Sequence, residues 1–327
     1  MEWLRSILAE CFPGARLAGF DRIGLEHGLA STALRLRLDG PGAPPSVVIK
    51  YWSIDGPGGS DEVPFYATFG RDLGIRIPHC YHGAVDPDHK RGVLVLEDLS
   101  GAVQGDVLGQ LDLRGAAVVA GTIATLHAKW WESSELGAQA WLQTIGPRAP
   151  EWLRSRREMF LSRFGDQTDA TLRDLLERVE AVEQRANERL AGAAMTLVHG
   201  DLHLDNVMFD GGVENPILLD WASAAKGPAV FDLIELLYSM TPLAGLEPTF
   251  AVYLGALRQR GVAGVEESAL RLQLGGALLR RVISSTCGIA RWVPDTERER
   301  EMIPVALRRI TEAVELWRTK DPELFQF

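Results

Sequence analysis

Positive charge is in short supply: 34 lysines and arginines stand against 44 aspartates and glutamates, a formal net charge of −10 over 327 residues. Such a chain repels nucleic-acid phosphates, so no nucleic-acid partner is expected. Cysteine is scarce as well. Cys11, Cys80 and Cys287 are odd in number, widely spaced and in no metal-ligand pattern, which argues against a disulfide framework or a zinc site and for a reducing compartment. No run approaches the roughly 18 apolar residues of a membrane span. The start, Met1-Glu2-Trp3-Leu4-Arg5, lacks a basic region followed by an apolar stretch. A soluble, cytoplasmic chain with no membrane partner is the expectation. There is also no Gly-x-x-x-x-Gly-Lys-Ser/Thr element, which removes one common route to nucleoside triphosphate binding.

What the chain does have is enough apolar content, 46%, to bury a sizeable core. Residues 1–10 predict a short amphipathic helix stopped by Pro13-Gly14. Leu34-Arg35-Leu36-Arg37-Leu38 then alternates with a period of two, and Val47-Val48-Ile49-Lys50-Tyr51 is a short β-branched run, so the two predict a hairpin across Asp39-Gly40-Pro41-Gly42. A helix is expected from Glu62 to about Leu73, with Pro64 tolerated in its first turn, and two further strands around 80–85 and 92–96. The Gly-, Asp- and Gln-rich block Leu99–Leu113 marks the expected boundary. It divides the chain into a sheet-based lobe, 1–98, and a mostly helical lobe, 99–327. Helical patterns run over 115–132, 151–164, 167–191, 228–240, 247–260, 266–291 and 298–318, with short strands at Thr196–His199 and Pro216–Asp220.

The strongest chemical signal is His199-Gly200-Asp201-Leu202-His203-Leu204-Asp205-Asn206, followed fourteen residues after Asn206 by Asp220, in Leu218-Leu219-Asp220-Trp221. Phosphoryl transfer needs a carboxylate to orient a hydroxyl and accept its proton, together with oxygen ligands that hold magnesium against phosphates. Asp201, Asn206 and Asp220 supply that set; the alternative is that they only tie a tight loop, as Asp and Asn often do. Upstream, Lys50 closes the β-branched run and suits the α- and β-phosphates if a helix carboxylate holds it. Glu62, twelve residues on, is the natural partner, with Asp61 as competitor. The segment Gly24–Thr32 stands where small residues could bring backbone N–H groups to phosphate oxygens, though a plain hairpin turn explains it too.

The His-Gly-Asp-x-His-x-x-Asn string with its later Asp resembles the phosphotransferase motif of the aminoglycoside phosphotransferases and choline kinases. That resemblance implies an α+β, two-lobed protein-kinase-like fold, with a small antiparallel-sheet N-lobe and a larger, mostly helical C-lobe. It also implies an ATP- or GTP-dependent, magnesium-requiring transfer to a hydroxyl of a small molecule. By it, Asp201 is the catalytic base, Asn206 and Asp220 are the magnesium ligands, and His199 holds the catalytic loop. Lys50, Glu62 and Ser31 then serve the phosphates, and Glu97 and Leu99 contact adenine through the backbone of a hinge. Protein kinases carry Arg between the His and Asp and Phe-Gly after the metal Asp; here those places hold Gly200 and Trp221-Ala222, which argues against a protein substrate.

Two acceptor classes fit, an antibiotic such as an aminoglycoside or a metabolite alcohol of the choline, sugar or ecdysteroid type. A nucleotide-binding pseudokinase is the reading from another class. Substrate contacts are expected after residue 228, among Glu235, Tyr238, Arg280, Arg281 and Trp292. His203 and Asp205 have no role the chemistry demands. Leu126-His127 and Trp130-Trp131 suit helix packing, and Asp232 suits a cap or a brace for the catalytic loop.

Overall fold

The computed structural model describes residues 2–24, 32–53 and 61–327. In chain order these form α1 (Glu2–Cys11), β1 (Arg16–Ile23), β2 (Thr32–Asp39), β3 (Ser46–Ser53), α2 (Glu62–Phe69), β4 (Cys80–Asp86), β5 (Arg91–Glu97) and β6 (Val103–Gln104). There follow α3 (Leu113–Trp130), α4 (Ser134–Gly137), α5 (Pro150–Phe164), α6 (Ala170–Glu177), α7 (Val179–Leu190), β7 (Met195–Val198), β8 (Val207–Phe209), β9 (Pro216–Leu218) and β10 (Ala225–Pro228). The chain ends with α8 (Val230–Glu235), α9 (Leu246–Gln259), α10 (Glu267–Ile283) and α11 (Glu297–Lys320). It separates into two compact units, Met1–Gln104 with Asp205–Ala224, and Gly105–Leu204 with Ala225–Phe327.

The smaller unit is built on an antiparallel sheet in the order β1-β2-β3-β5-β4. Because successive side chains of a strand point to opposite faces, Val47 and Ile49 of β3 join Val93 and Val95 of β5 on one face, where Ile7 and Phe12 at α1 cover them. Lys50 therefore projects from the opposite face. It does not close its strand as expected but sits inside it, paired in register with Ala33 on one side and Leu94 on the other. A central position gives the lysine a stiffer base than a strand end. β1 was not expected from the sequence, since most of its residues are exposed, Phe20 and Leu17 among them, and no alternating apolar face marks it. A second sheet, β6-β8-β9, carries residues 207–218 within the same unit.

The larger unit is mostly helical. Ala116, Val119, Ala120, Ile123, Ala124 and His127 recur at helical spacing on the buried face of α3, which packs against α9 and β7. α10 packs on α7 and α8, and α11 opens on a capping box between Thr296 and Glu299. Three expected helices are interrupted. The pattern over 167–191 breaks at Arg178 into α6 and α7. That over 228–240 starts only at Val230, because Gly227-Pro228 belong to β10, and passes into a π-helical turn at Leu236–Met240. The third ends as α10 at Ile283, followed by a π turn, Ser284–Gly288. Among the described residues no helix is long and apolar enough to cross a membrane.

Candidate active site

In the smaller unit the β3 alternation aims Lys50 at the first turn of α2. Its Nζ lies 2.6 Å from Glu62 Oε2 and 2.8 Å from Asp220 Oδ1. Asp61, the competing carboxylate, instead accepts the Phe65 N–H through its backbone carbonyl at the start of α2. Glu62 is buried, and its second oxygen accepts the Trp221 N–H at 3.3 Å. Burial works against the Lys50 ammonium, yet the Glu62 and Asp220 carboxylates outweigh it and hold the lysine above its ordinary pKa. Burial pushes Glu62 up, with Lys50 opposing. The lysine is thus a fixed positive charge, and Asp220 remains 43% exposed on its other side, open to a ligand.

Asp220 does not end a strand; β9 stops at Leu218, and Asp220 follows with φ of 55°, a left-handed conformation that Asp adopts more readily than most residues. Trp221 anchors the turn. Its ring is fully buried, stacks on Phe65 of α2 at 4.5 Å and 8°, and donates through Nε1 to the Leu218 carbonyl. Such a stack contributes about 0.5–1.5 kcal/mol beyond its buried area. It ties the helix that carries Glu62 to the turn that carries Asp220. The Asn206 carbonyl accepts the Leu219 N–H at 2.9 Å, and Gln104 Nε2 of β6 donates to the Asp205 carbonyl at 2.7 Å. Asn206 and Asp220 are thereby held on neighbouring stretches.

An amide oxygen and a carboxylate are hard donors of the kind magnesium prefers, so Asn206 and Asp220 could hold such an ion. Among the described residues no cluster of three or more His, Cys, Asp or Glu side chains could hold a metal by itself. Glu97, expected at a hinge, donates its N–H to the His79 carbonyl and accepts Arg76 on its carboxylate, and the carbonyl of Leu99, expected there too, accepts the Ala102 N–H. Ser31 lies outside the described residues.

The larger unit holds Asp201. The loop that bears it leaves β7 through His199 and Gly200, and Gly200 has φ of 80°, which suits glycine and would strain a side-chain-bearing residue. Asp232, near the start of α8, accepts the His199 N–H at 2.7 Å and the Gly200 N–H at 3.0 Å. The expected brace is therefore in place, and it has a partner the sequence reading left in the packing: His127 Nε2 lies 3.1 Å from the same carboxylate. His127 Nδ1 meets the Tyr253 hydroxyl of α9 at 2.8 Å. The next turn is closed by the Asp201 N–H, 3.3 Å from His199 Nδ1. Burial opposes ionisation of Asp232, but His127, His199 and the backbone donor hold its pKa below the ordinary value.

Asp201 itself keeps 58% of its side chain exposed, with His203 Nε2 at 3.7 Å. Partial desolvation raises its pKa, and His203, His199 and Arg281 lower it further than that, so it is ionised at neutral pH. The substrate candidates separate. Arg280 is spent on Glu183 and the Gly146 carbonyl, and the Tyr238 hydroxyl accepts Trp317 Nε1 at 2.5 Å. Glu235 and Arg281 pair with each other at 2.8 Å. Trp292 donates its N–H to the Ile289 carbonyl. The signal for Tyr253 was a lone aromatic on a helix face, indistinguishable from core packing.

The fold recurs widely among solved structures. A spectinomycin phosphotransferase, APH(9)-Ia, in complex with ADP and spectinomycin is 15% identical, with a TM-score of 0.61 over 96% of this chain and 98% of that one. The choline kinase of Cryptosporidium parvum Iowa II gives 13%, 0.62, 99% and 97%. A microcompartment-associated aminopropanol kinase gives 15%, 0.60, 98% and 98%. At these identities the likeness establishes the protein-kinase-like, two-lobed α+β fold. No curated protein matches the chain in sequence. The family model for the phosphotransferase enzyme family matches residues 62–267, from the buried glutamate of α2 through the catalytic-loop motif and into α10. Spanning well over half its length, that match makes the chain a member of the phosphotransferase enzyme family.

Proposed function

We propose that the protein transfers the γ-phosphoryl group of ATP or GTP to a hydroxyl of a small molecule. The observation that carries this is the Lys50–Glu62–Asp220 cluster, a largely covered ammonium held between two carboxylates of which one stays open to solvent. Lys50 would neutralise the α- and β-phosphates, Glu62 would keep it extended, and the backbone at Glu97 and Leu99 would meet the base. Asn206 and Asp220 would hold magnesium, which when bound neutralises charge on the β- and γ-phosphate oxygens. Ser31 is assigned to the phosphates by family resemblance alone.

Asp201 orients the acceptor and takes its proton. The hydroxyl oxygen forms a bond to the γ-phosphorus as the bond from that phosphorus to the bridging oxygen breaks. The nucleoside diphosphate leaves with the electron pair. An ionised Asp201 is a weak base, which suits a loose transition state in which positioning matters more than early proton removal. Asp232, held by His127, positions the loop and touches neither reactant.

The structural neighbours are described as acting with spectinomycin, choline or aminopropanol, and their common denominator is a small alcohol. Metabolite phosphorylation is the alternative to antibiotic modification. The cysteines are free, which suits a cytoplasmic enzyme. The test is a thermal-shift titration with ATP or GTP, with and without magnesium, alongside turnover. A nucleotide at a hundred times its dissociation constant should stabilise the native protein by ~2.7 kcal/mol. Asp220→Ala should abolish the magnesium-dependent part of the shift. Asp201→Asn should keep it and lose roughly 10²- to 10⁴-fold in turnover. Absence of any shift with either nucleotide would sink the reading.

A further inference from the structure

Two acidic residues follow one another where β5 ends, and each is held by partners of its own. Glu97 accepts Arg76 NH2 at 2.5 Å and the His79 N–H at 3.0 Å. Asp98 takes more. Arg35 Nε of β2 donates to both of its oxygens, at 3.1 and 2.9 Å, and Ser46 Oγ at the start of β3 donates at 2.5 Å. The Ser100 N–H donates to Asp98 Oδ1 at 3.0 Å, closing a turn of the kind an Asp side chain makes with the main chain two residues on. The Asp98 side chain is 4% exposed, so it is no solvated surface charge.

The register places this cluster on the face that bears Lys50. Side chains two apart on a strand share a face, so Ser46, Val48 and Lys50 of β3 point the same way. Arg35 lies opposite Val48 on one side and Leu96 on the other, and both join that face. Asp98, two residues past Leu96, reaches Arg35 and Ser46 there. The sheet pairing of β5 ends at Glu97, opposite Val47. Beyond that point the Asp98 carboxylate fastens the outgoing main chain to β2 through Arg35, to β3 through Ser46 and to its own next turn through Ser100. Phosphoryl transfer itself requires none of these three bonds.

We infer that Asp98 is a positioning residue for the nucleobase: by clamping residues 97–100 to β2 and β3 it fixes where the main-chain groups of Glu97 and Leu99 stand. This rests on the transfer reading above, in which those groups meet the base. Hydrogen bonds weaken steeply once donor and acceptor are misaligned, so a base can be gripped by main chain only where that main chain is held still. A segment ordered in advance also spares the nucleotide the cost of ordering it on binding. Charge-assisted bonds such as Arg35 to Asp98 are the stronger kind, and they suit the task. Asp98 touches neither nucleotide nor acceptor; it acts through the backbone on either side of it.

The experiment compares two probes by isothermal titration calorimetry on the full chain with magnesium. One is the tighter-binding of ATP and GTP; the other is inorganic tripolyphosphate, which has the three phosphates without ribose or base. The wild type should bind the nucleotide more tightly. Asp98→Ala should weaken the nucleotide by roughly tenfold, the scale of one well-placed hydrogen bond, and leave tripolyphosphate unchanged. Arg35→Gln should act in the same direction from the other end of the link, and the Asp98→Ala/Arg35→Gln pair should lose no more than Asp98→Ala alone. Arg35 is 32% exposed, so its variant carries the test if Asp98→Ala does not fold. A parallel loss of both probes would make Asp98 a general prop of the sheet and overturn the inference. So would variants that keep the wild-type ratio, or a wild type that binds tripolyphosphate as tightly as nucleotide. In each of those cases nucleotide binding survives in the wild type and the transfer reading stands; if the wild type binds neither probe, both readings fall.

Discussion

Glu62 in the smaller unit and Asp232 in the larger are both carboxylates at 1% exposure, yet they are satisfied in opposite ways. Glu62 faces an ammonium, 2.6 Å away. Asp232 faces two backbone N–H groups and an imidazole. A lysine is a point charge on a flexible stem, so a carboxylate behind it fixes where a charge stands. A carboxylate that accepts consecutive N–H groups fixes the course of a main chain. In the proposed reaction the first arrangement would prepare a site for a phosphate. The second preserves a loop conformation, including the left-handed Gly200, and in the proposed reaction would hold the geometry that meets a hydroxyl. The same residue type thus serves electrostatics in one unit and positioning in the other.

The comparison is sharpened most by Lys50→Met. Removing one partner of a buried pair leaves the other charge uncompensated, at a cost of about 3–5 kcal/mol. Nucleotide binding should fail too. The pH dependence carries the diagnostic sign. Burial already raises Glu62, and Lys50 is what opposes it; without the lysine its folded pKa rises further above the unfolded value of about 4.3. A carboxylate raised in the folded state costs nothing below its unfolded pKa and destabilises increasingly as pH climbs through the folded one. The stability deficit against wild type, from urea unfolding, should therefore shrink as pH is lowered from 8 to 5. In the wild type the raised Lys50 contributes fully below about 10.4 and loses its contribution only as pH passes the higher folded value. A pH-independent deficit would mean that Glu62 is not held by charge.

Asp232→Asn breaks the other arm. The amide oxygen can accept one of the two N–H groups while its NH₂ meets the second, so one buried donor is stranded, at about 1–3 kcal/mol. Turnover should fall while the magnesium–nucleotide shift survives, since Lys50, Glu62 and Asp220 belong to the other unit. If nucleotide affinity falls as far as the rate, the division between electrostatics and positioning does not hold.

Legibility in the sequence followed the same division. Of the sheet strands with buried faces, 32–39 announced itself by alternation and 46–53 by its short β-branched run, and the α3 face by its helical spacing. The exposed β1 did not, because its pairing is made by backbone groups that any sequence provides. The Lys50–Glu62 pair was readable because the lysine of a β-branched run and a carboxylate opening the next helix stand only twelve residues apart. The Asp232 brace was half readable: an acidic residue early in a helix suggests a cap, but its acceptance of the His199 and Gly200 N–H groups spans thirty-two residues or more of chain. His127 and Glu235–Arg281 were least so. His127 lies on an apolar face 105 residues from Asp232, and Glu235 is 46 residues from Arg281, distances at which sequence spacing carries no information.

Tyr253→Phe tests how far the brace extends. The Asp232 carboxylate, ionised, can only accept, so His127 Nε2 carries a proton toward it, while Nδ1 meets the Tyr253 hydroxyl on the other side of the ring. Removing that hydroxyl leaves Nδ1 buried without that partner but leaves every contact to Asp232 intact. The cost should be about 1 kcal/mol in urea unfolding, with turnover within roughly threefold of wild type, since a threefold change corresponds to well under 1 kcal/mol. A rate loss matching that of Asp232→Asn would instead make Tyr253 part of the device that sets the loop, and the boundary between the brace and the helical core would move outward by one residue.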